Sequence, residues 1–437
     1  MRARNAAAQA KLADAASLLD YAALVREEGG RAVWSDALQR ALDERVIVRL
    51  PASATPDWID RTVMIPSNRR IEAEEGATVR LVPGMDTIFF RNEHTHDGTH
   101  APIAPGDRDR NVAILGGRWE ESREGRAGYG RSGKHDAARS LFGVSTLFFF
   151  NNLRGLTLEN IVVAHAAGFA VQVGDVEDLS VRDIRFDDCY ADGLHVNGNT
   201  SCAFLSDIRG NVGDDLVALN AYDWLNSSVD CGPIRDVVCE DFELVPEARY
   251  KAMRFEPGRY TYDDGPEVDC SVERLVVRRV RGIRTFKLYF QTPPYRFATE
   301  RPETGGQGTG DDLFFEDIDI DLAGPIDELR PYLESDPVRG TFAAFEFGSL
   351  LGRVRLERIR LTLHRDRFPY SYLACTGPKS VVRGDLEIFD PGLSTVLRRL
   401  EWRDIEIDGR PVRDLSPYLR AIAIGNARGT FGEIVPV

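Results

Sequence analysis

The sequence has no long apolar run, no paired-cysteine motif and no excess of basic residues. No stretch of about 18 consecutive apolar residues occurs, so a membrane span is not expected. The formal net charge of −14 argues against a surface that binds nucleic acid. The scattered cysteines, none in a Cys-x-x-Cys pair, are predicted to be reduced and mostly buried. They are Cys189, Cys202, Cys231, Cys239, Cys270 and Cys375.

Motifs of several enzyme classes are also absent. No Gly-x-Gly-x-x-Gly follows a predicted strand, and neither a phosphate-binding P-loop nor a Gly-x-Ser-x-Gly elbow occurs. Dinucleotide, phosphoryl-transfer and serine-hydrolase chemistry therefore lack support, and we expect no cofactor. The Ala-rich start is interrupted by charges and lacks the continuous apolar stretch of a secretory signal. It predicts a cytoplasmic protein, unless a leader segment has been removed.

The composition that remains is that of a globular protein with a large core. Of 437 residues, 43% are hydrophobic and 28% are charged. Lysine is scarce, with five lysines against fifty arginines. A lysine is therefore an unusual choice of basic residue in this chain, which normally uses arginine.

A short phrase of alternating apolar residues, ending in Asp, Asn or Arg plus an apolar residue, recurs along the chain. Its copies are "GLTLENIVV", "DLSVRDIRF", "AFLSDIRG", "DVVCEDFEL", "RLVVRRVRG", "DLFFEDIDI", "RVRLERIRL" and "RLEWRDIEI". The apolar anchors at the end of the phrase are Ile161, Ile184, Ile208, Phe242, Val280, Ile318, Ile359 and Ile405. Successive anchors are 23, 24, 34, 38, 38, 41 and 46 residues apart. Alternation with a period of two and many β-branched residues indicates strands.

The shortest interval suits one rung of three short strands, and the longer intervals suit rungs with loop insertions. Stacked rungs of this kind make a solenoid in which each rung buries its inward residues against the next. We therefore predict an all-β fold, a right-handed parallel β-helix spanning residues 51–437. The helical spacing within residues 1–50, around Ala15–Leu50, predicts a short N-terminal helical cap over the open edge.

Two neighbouring rungs bring three acids together, in "YADGLHVNG" and then "GNVGDDLVAL". Aligning Leu194 with Leu216 places Asp192 beside Asp214, with Asp215 one residue further on. Equivalent positions of successive rungs stack about 4.8 Å apart, so the three carboxylates should converge on one surface patch. Clustered like charges are destabilising, and they drive the pKa values of the acids apart, as acid/base chemistry requires.

A second Gly-Asp-Asp-Leu at Gly310–Leu313 offers an internal comparison. It leads directly into the recurring phrase, so Asp311 and Asp312 are predicted to be turn residues before a strand. The position within the repeat, rather than the tetrapeptide itself, distinguishes the first copy.

The first pair of acid motifs resembles the polygalacturonase family of pectin-hydrolysing β-helix glycosidases. That family carries an Asn-Thr-Asp-Gly-like motif and then Gly-Asp-Asp on the next rung. The segments "IPSNRRIEAEEGATVRL" and "RNVAILGGRW" also look like the first rungs of its members. The resemblance implies hydrolysis of a glycosidic bond by single displacement with inversion. It further implies that Asp214 is the general acid and that Asp192 and Asp215 activate water.

The chain differs from that family at two later motifs, so the resemblance is to a divergent member. Lys251 stands in place of the histidine of Gly-His-Gly, and Arg284 and Lys287 replace the Arg-Ile-Lys motif. Since lysine is scarce here, Lys251 and Lys287 suggest a specific contact. Together with Arg254 and Arg284 they would form a cationic floor that binds a uronate carboxylate, shifts the acids' pKa values or neutralises them. Ordinary solvated charges are the alternative for Arg254 and Arg284.

Further candidates for substrate contact come from histidines and aromatic residues. His195 follows Asp192 by alternation and could face the substrate. The aromatic residues in the long segments between rungs could stack on sugars or simply pack: Tyr222, Trp224, Tyr260, Tyr262, Tyr289 and Tyr295. The spacing of His94, His96 and His100 permits a metal site, but their Gly/Pro-rich context favours a surface loop or cleft wall, and no metal is predicted.

These observations predict a glycosidase that acts on an oligosaccharide or polysaccharide, with no nucleic-acid or membrane partner. A polysaccharide lyase or sugar epimerase on the same solenoid is one alternative, in which Lys251 and Arg254 would act near an acidic C–H. A non-catalytic carbohydrate-binding β-helix is the other. The sequence leaves both a monomer and a homo-oligomer open.

Overall fold

The copies of the recurring phrase stack in register, as predicted. In this computed structural model Ile161 pairs with Ile184, Ile184 with Ile208, and Phe242 with Val280 in parallel strands. All eight anchors are at most 2% exposed and face one continuous interior. The fold is a right-handed parallel β-helix, which confirms the predicted fold class. The structure describes residues 14–53, 56–85, 87–95, 108–122, 146–223, 230–261, 267–289, 305–323, 335–338, 340–378, 380–383, 386–389 and 393–437.

The strands have the following bounds. The N-terminal strands are β1 (Ala15–Ser17), β2 (Arg26–Glu28), β3 (Arg31–Val33), β4 (Ile47–Leu50), β5 (Asp57–Ile59), β6 (Val63–Ile65), β7 (Arg70–Ala73), β8 (Thr78–Leu81), β9 (Phe90–Asn92), β10 (Asp109–Leu115), β11 (Arg118–Glu120) and β12 (Thr146–Ala164). The central strands are β13 (Phe169–Cys189), β14 (Leu194–Asn197), β15 (Thr200–Val212), β16 (Val217–Asn220), β17 (Ile234–Leu244), β18 (Ala252–Phe255), β19 (Gly258–Thr261), β20 (Glu267–Cys270), β21 (Val272–Arg281), β22 (Thr285–Tyr289), β23 (Gly305–Gln307) and β24 (Thr309–Asp321). The C-terminal strands are β25 (Phe342–Gly348), β26 (Leu350–Thr362), β27 (Ser371–Thr376), β28 (Ser380–Arg383), β29 (Leu386–Phe389), β30 (Thr395–Arg403), β31 (Glu406–Ile407), β32 (Arg410–Pro411), β33 (Leu419–Ala421), β34 (Ala423–Ile424) and β35 (Ala427–Pro436).

The residue before each anchor, which is Asp, Asn or Arg, adopts the same backbone conformation in every copy of the phrase. At all eight copies this residue has a left-handed φ between 49° and 60°. The residues are Asn160, Asp183, Asp207, Asp241, Arg279, Asp317, Arg358 and Asp404. Asn and Asp adopt this conformation more readily than other side chains, because their short polar groups bond locally to the backbone. The phrase therefore encodes the bend between two faces of each rung.

One face of the solenoid, called the site sheet here, positions the predicted acids. The first residues of β13 and strands β14, β16, β18, β22, β25 and β27 pair in parallel, each with the next. Side chains that alternate with core residues on this sheet form an in-register column: Gln172, His195, Ala218, Arg254, Lys287 and Glu346. Every member of the column is at most 6% exposed. A row of polar side chains on the outward face is thus enclosed by other parts of the chain.

The N-terminal segment is less helical than predicted. It contains a 3₁₀ helix (Leu18–Leu24) and helix α1 (Ser35–Glu44), whose Ala37, Leu38 and Ala41 join the core. Strand β1 pairs with β4, and β4 pairs with β7. The parallel sheet therefore already runs through the predicted cap, because the apolar Ile47–Leu50 continues the solenoid. A second 3₁₀ helix lies near the C-terminus (Ser416–Tyr418).

All six cysteines are unpaired, and five of them are buried; Cys202 is exposed. Among the residues that the structure describes, no helix combines the length and apolarity needed to cross a membrane.

Candidate functional site

The three predicted acids lie on two consecutive turns that lead into the site sheet. Asp192 follows β13 and precedes β14, whereas Asp214 and Asp215 follow β15 and precede β16. A glycine accompanies each acid turn, and a Cβ at Gly213 would lie 2.0 Å from the carbonyl oxygen of Tyr190. Glycine is therefore required here because successive turns pack backbone against backbone.

The predicted alignment of the acids is wrong by one residue. Leu194 pairs with Val217 rather than Leu216, so Asp192 lies beside Asp215 and not beside Asp214. The N–H of Gly193 donates to the carbonyl of Asp215 at 3.0 Å, which fixes this register. Phe186 pairs with Gly210 and Cys189 with Val212, so the offset between the two rungs falls from 24 to 23 residues at this irregularity, and the offset of 23 continues through Asp192 and Asp215.

The acids nevertheless converge. One carboxylate oxygen from each of Asp192, Asp214 and Asp215 lies within 4.8 Å of the other two. Asp192 is 3% exposed and Asp215 is 1% exposed, whereas Asp214 is half-buried. Asp214 is therefore the member of this acid trio that can meet a substrate directly.

Burial dominates the ionisation of the two inner acids. It raises the pKa of Asp215 to about 8, against the lowering effect of Arg254, with Asp214 and Asp192 adding to the rise. Burial also raises the pKa of Asp192, although its hydrogen bond with His195 opposes the rise. Within the described residues Oδ1 of Asp215 has no hydrogen-bond partner, while its backbone N–H donates to Oδ1 of Asp192 at 3.1 Å. Burial therefore favours the protonated form of Asp215 in the folded protein.

Two of the predicted cations lie buried beside these acids. Nε of Arg254 is 3.3 Å from Oδ2 of Asp215, and the same guanidinium is 3.8 Å from Glu256. Lys287 follows Arg254 in register on the next strand, lowers the pKa of Asp215 and hydrogen-bonds the hydroxyl of Tyr250. Arg254 and Lys287 are each 6% exposed, so neither is an ordinary solvated charge.

The other two predicted cations lie further out. Lys251 and Arg284 are half-buried, and the N–H of Arg284 donates to the carbonyl of Lys251 at 2.8 Å. Both line a small pocket with Lys287, Phe342 and Glu346. They also border an open groove of about 340 Å³ that continues along the turns past Asp319 and Arg360. The cationic floor thus runs from the buried site towards solvent.

His195 does not face a substrate, contrary to the prediction. It is 1% exposed, and its ring stacks on Phe169 with centroids 4.2 Å apart. Nδ1 lies 2.6 Å from Oδ2 of Asp192, and Nε2 lies 2.8 Å from Oδ2 of Asp223. The two carboxylates outweigh the opposing effect of burial and raise the pKa of His195 to about 10. His195 therefore acts on Asp192 and not on a ligand.

The sequence did not reveal Asp223 and Glu256 as parts of the site. Asp223 is fully enclosed and accepts a hydrogen bond from Asn220 at 3.0 Å, while Glu256 is 0% exposed. Asp223 lies three residues after the end of β16, and Glu256 lies one residue after the end of β18; both strands belong to the site sheet. Reading the outward column of the sheet beyond the strand ends would have found Glu256, which follows Phe255 by alternation.

Among the six aromatic residues predicted to contact a sugar, Tyr222 is the one whose side chain the structure describes. Tyr222 is 1% exposed and belongs to the hydrophobic core, so it is not available for stacking on a sugar, and that prediction is wrong. Its burial follows from Gly258, whose absent side chain admits the Tyr222 ring. Trp224, Tyr262 and Tyr295 lie outside the described residues, as do the side chains of Tyr260 and Tyr289.

Two groups of the described residues have ligand types that could in principle hold a metal. In the first, Asp109 lies near Glu93 and His94, but its oxygens already accept hydrogen bonds from Ser67, Asn92 and His94. His96 and His100 lie outside the described residues. The second group is the acid trio, where Arg254 already supplies positive charge next to Asp215.

The second Gly-Asp-Asp-Leu lacks the burial and the clustering with a third acid that mark the first. Asp311 and Asp312 are exposed and lie within β24 rather than before it, with Asp312 at a left-handed φ of 56°. The N–H of Arg353 donates to Asp311 at 2.7 Å, and its guanidinium pairs with Asp312 at 2.5 Å. This copy is a surface bend.

Replacing Asp215 with asparagine should make the protein relatively more stable as the pH rises. Because the folded-state pKa of Asp215 is raised to about 8, its contribution to stability is present below the unfolded pKa near 4 and is lost between pH 4 and 8. The Asn variant escapes that loss, so its stability relative to wild type should increase by roughly 1 kcal/mol per pH unit across this window. Urea unfolding at pH 5 and pH 8.5 measures the difference. Asp312→Asn, a change in the exposed copy, should differ from wild type in the free energy of unfolding by the same amount at both pH values. If the two variants respond equally to pH, Asp215 is not a buried, protonated carboxyl.

Comparison with known proteins identifies the fold. No family model and no curated protein matches the chain. A tailspike protein mutant of E. coli bacteriophage HK620 is 12% identical, with 97% of this chain and 66% of that chain covered and a TM-score of 0.52. An exopolygalacturonase from Thermotoga maritima is 13% identical over 91% and 92% of the two chains, with a TM-score of 0.47. PfbA, a surface adhesin of Streptococcus pneumoniae, is 12% identical over 95% and 99%, with a TM-score of 0.40. At such identities the likeness is one of fold.

Proposed function

We propose that this protein is a glycoside hydrolase whose acid/base groups are the acid trio Asp192, Asp214 and Asp215. The observation that carries the proposal is the convergence of the three carboxylates, within 4.8 Å, from the consecutive turns that lead into β14 and β16 of the site sheet. A solenoid gains no stability from stacking three acids, two of them buried. Chemistry that needs carboxyl groups with separated pKa values gives them a purpose.

The roles follow from exposure and hydrogen bonding. Asp214, the half-buried member, donates its proton to the glycosidic oxygen as the C1–O bond breaks. Asp192 accepts a proton from the water that attacks C1. Asp215, whose pKa is raised to about 8 by burial, keeps a proton close enough to be shared with Asp214. The resemblance to polygalacturonases assigns Asp215 to water activation, but a carboxyl that is protonated at neutral pH suits proton supply better.

Single displacement fits the burial of the inner acids. Inverting enzymes usually separate their two carboxylates by about 6.5–9.5 Å, and retaining enzymes by about 5–5.5 Å. Distances within 4.8 Å would by themselves favour retention. A retaining nucleophile must, however, form a bond to C1, and Asp192 and Asp215 are at most 3% exposed. A base that acts through water needs no direct contact with C1, so the burial of Asp192 suits inversion, which we propose.

The cations favour a sugar that carries negative charge. Lys251 and Arg284 border both the small pocket and the open groove, next to the buried Lys287. Ammonium and guanidinium groups recognise carboxylates by charge-assisted hydrogen bonds. A uronate-containing oligosaccharide is the substrate class that matches this floor.

A screen of defined oligosaccharides tests the proposed activity. Wild-type protein should release new reducing ends from at least one anionic oligosaccharide, without the ultraviolet absorbance of an unsaturated sugar. Product that absorbs in proportion to cleavage would instead indicate a lyase. Binding without any cleavage across the panel would support a carbohydrate-binding β-helix.

The pH dependence of hydrolysis should reflect the shifted acids. Because Asp215 retains its proton up to about pH 8, the ratio kcat/KM should fall only above about pH 8. Because burial raises the pKa of Asp192, the acidic limb should lie above the ordinary Asp value of about 3.9. A pH–rate profile from pH 3 to 10 measures both limbs. A basic limb near pH 5 would contradict the proton-holding role of Asp215.

A further inference from the structure

His195 joins two carboxylates into one buried chain of hydrogen bonds. Its Nδ1 is 2.6 Å from Asp192, and its Nε2 is 2.8 Å from Asp223. Asp223 is held in turn by the amide of Asn220 at 3.0 Å. Asp223 comes from the segment after β16, whereas Asp192 comes from the turn before β14. The chain therefore connects the catalytic turn to a different rung.

The distances bring a carboxyl oxygen within hydrogen-bonding range of both imidazole nitrogens. A neutral imidazole has one N–H, so its other nitrogen would present a lone pair to an oxygen less than 3 Å away, unless that carboxyl itself carried the proton. Water cannot relieve that repulsion, because the ring is 1% exposed and lies against Phe169. An imidazolium donates to both carboxylates and satisfies all four groups.

The surrounding charges support an imidazolium. Asp192 and Asp223 face the ring directly and raise the pKa of His195 to about 10. Arg254 lowers the pKa of both carboxylates, while Asp214 raises the pKa of Asp192. The amide nitrogen of Asn197 lies 3.3 Å from Nε2 and carries no charge, while the oxygen of the same amide accepts a hydrogen bond from Gln172. The two directly bonded carboxylates thus decide the state of the ring.

We propose that Asp223 is a positioning residue that keeps His195 doubly protonated and thereby holds Asp192 ionised and correctly oriented as the base. This inference rests on the proposed function for its catalytic consequence, but not for the state of His195. One oxygen of Asp192 accepts from His195, and the other accepts the N–H of Asp215. When water attacks C1, its O–H bond breaks, the proton goes to Asp192 and the O–C1 bond forms, while the glycosidic C1–O bond breaks and its leaving oxygen takes a proton from Asp214. His195 keeps both of its protons throughout, and Asp223 touches neither substrate nor the reacting atoms.

The protonation of His195 can be measured without any substrate. In protein with ¹⁵N-labelled histidine, NMR should show His195 as an imidazolium through about pH 9; His195→Gln assigns its signals among the seven histidines. Asp223→Asn should lower the titration of His195 by about 1 pH unit or more, because one of its two carboxylates loses its charge. A wild-type His195 that titrates near its ordinary value of about 6.5 would overturn the inference, even if Asp223→Asn failed to fold.

The kinetic arm uses the exposed Asp236, which lines neither the pocket nor the groove, as a control. Asp236 pairs with Arg274 at 2.6 Å, and 48% of its side chain is exposed. Asp223→Asn should lower kcat about 10-fold or more, with KM within about 2-fold, and move the acidic limb of the pH profile. Asp236→Asn should change neither kcat nor the titration of His195. Unchanged kcat in Asp223→Asn, or equal effects of the two variants, would overturn the positioning role. If no substrate is hydrolysed, the NMR arm still decides the state of His195 independently of the proposed function.

Discussion

Replacing Asp214 with asparagine should lower the rate of hydrolysis by about 10²–10⁴-fold while leaving sugar binding within a few-fold of wild type. Asparagine preserves the size and polarity of the side chain but has no acidic proton to give to the leaving oxygen. Asp214 is half-buried on a turn, so the change opens no core cavity. Initial rates on the oligosaccharide found by the screen, together with calorimetric binding to the same compound, measure both quantities.

The chain provides its own control for this experiment. Asp311→Asn alters the second Gly-Asp-Asp-Leu, whose acids are exposed and bonded to Arg353. That variant should hydrolyse at the wild-type rate. If Asp214→Asn retains more than about a tenth of the wild-type rate, Asp214 is not the proton donor.

Replacing Arg254 with methionine should destabilise the protein by about 3–5 kcal/mol, because it removes the buried positive charge next to the carboxylate of Glu256. Arg254 is 6% exposed and lies between Asp215 and Glu256, which are 1% and 0% exposed. Methionine fills most of the space but carries no charge. Since Arg254 lowers the pKa of Asp215, its loss should raise that pKa further. Urea unfolding followed by circular dichroism measures the change in the free energy of unfolding.

An exposed arginine separates burial from charge in this comparison. Arg274 pairs with Asp236 at 2.6 Å, and both side chains are nearly half exposed. Arg274→Met should cost less than about 1 kcal/mol, as is usual for a surface ion pair. Similar losses for the two variants would show that Arg254 does not compensate a buried cluster.

The fold could be predicted because each rung carries its own signal. The anchors from Ile161 to Ile405 mark the inward positions, and the Asp, Asn or Arg before each anchor marks a left-handed bend. Both signals are local, so they survive loop insertions that lengthen the later rungs. The helical N-terminal cap was predicted less well, since the short strand Ile47–Leu50 is apolar enough to fit either a helix or a strand.

The site was predicted in composition but not in register. The acids were found because they are clustered in sequence, but matching the apolar residues after the two motifs set Leu194 against Leu216, whereas the strands pair Leu194 with Val217. A shift of one residue leaves no trace in the sequence, because the apolar run after Asp215 fits either alignment.

Burial of the site residues depends on contacts between rungs. His195 and Tyr222 occupy positions where alternation permits exposure, yet both are enclosed. The partners that enclose them are Asp223 and Phe169 for His195, and Gly258 for Tyr222. These partners lie 26 to 36 residues away in the chain, and no periodicity of a single rung reveals them.

Hydrolysis of a glycosidic bond by the acid trio in a single displacement leaves a stereochemical mark on the product. Proton NMR during the first minutes of hydrolysis of the identified oligosaccharide detects it, because the anomer formed first is visible before mutarotation. The first product should have the opposite anomeric configuration to the bond that was cleaved and should show no vinyl proton. A product that first appears with retained configuration, or one that contains a double bond, would contradict hydrolysis by a single displacement.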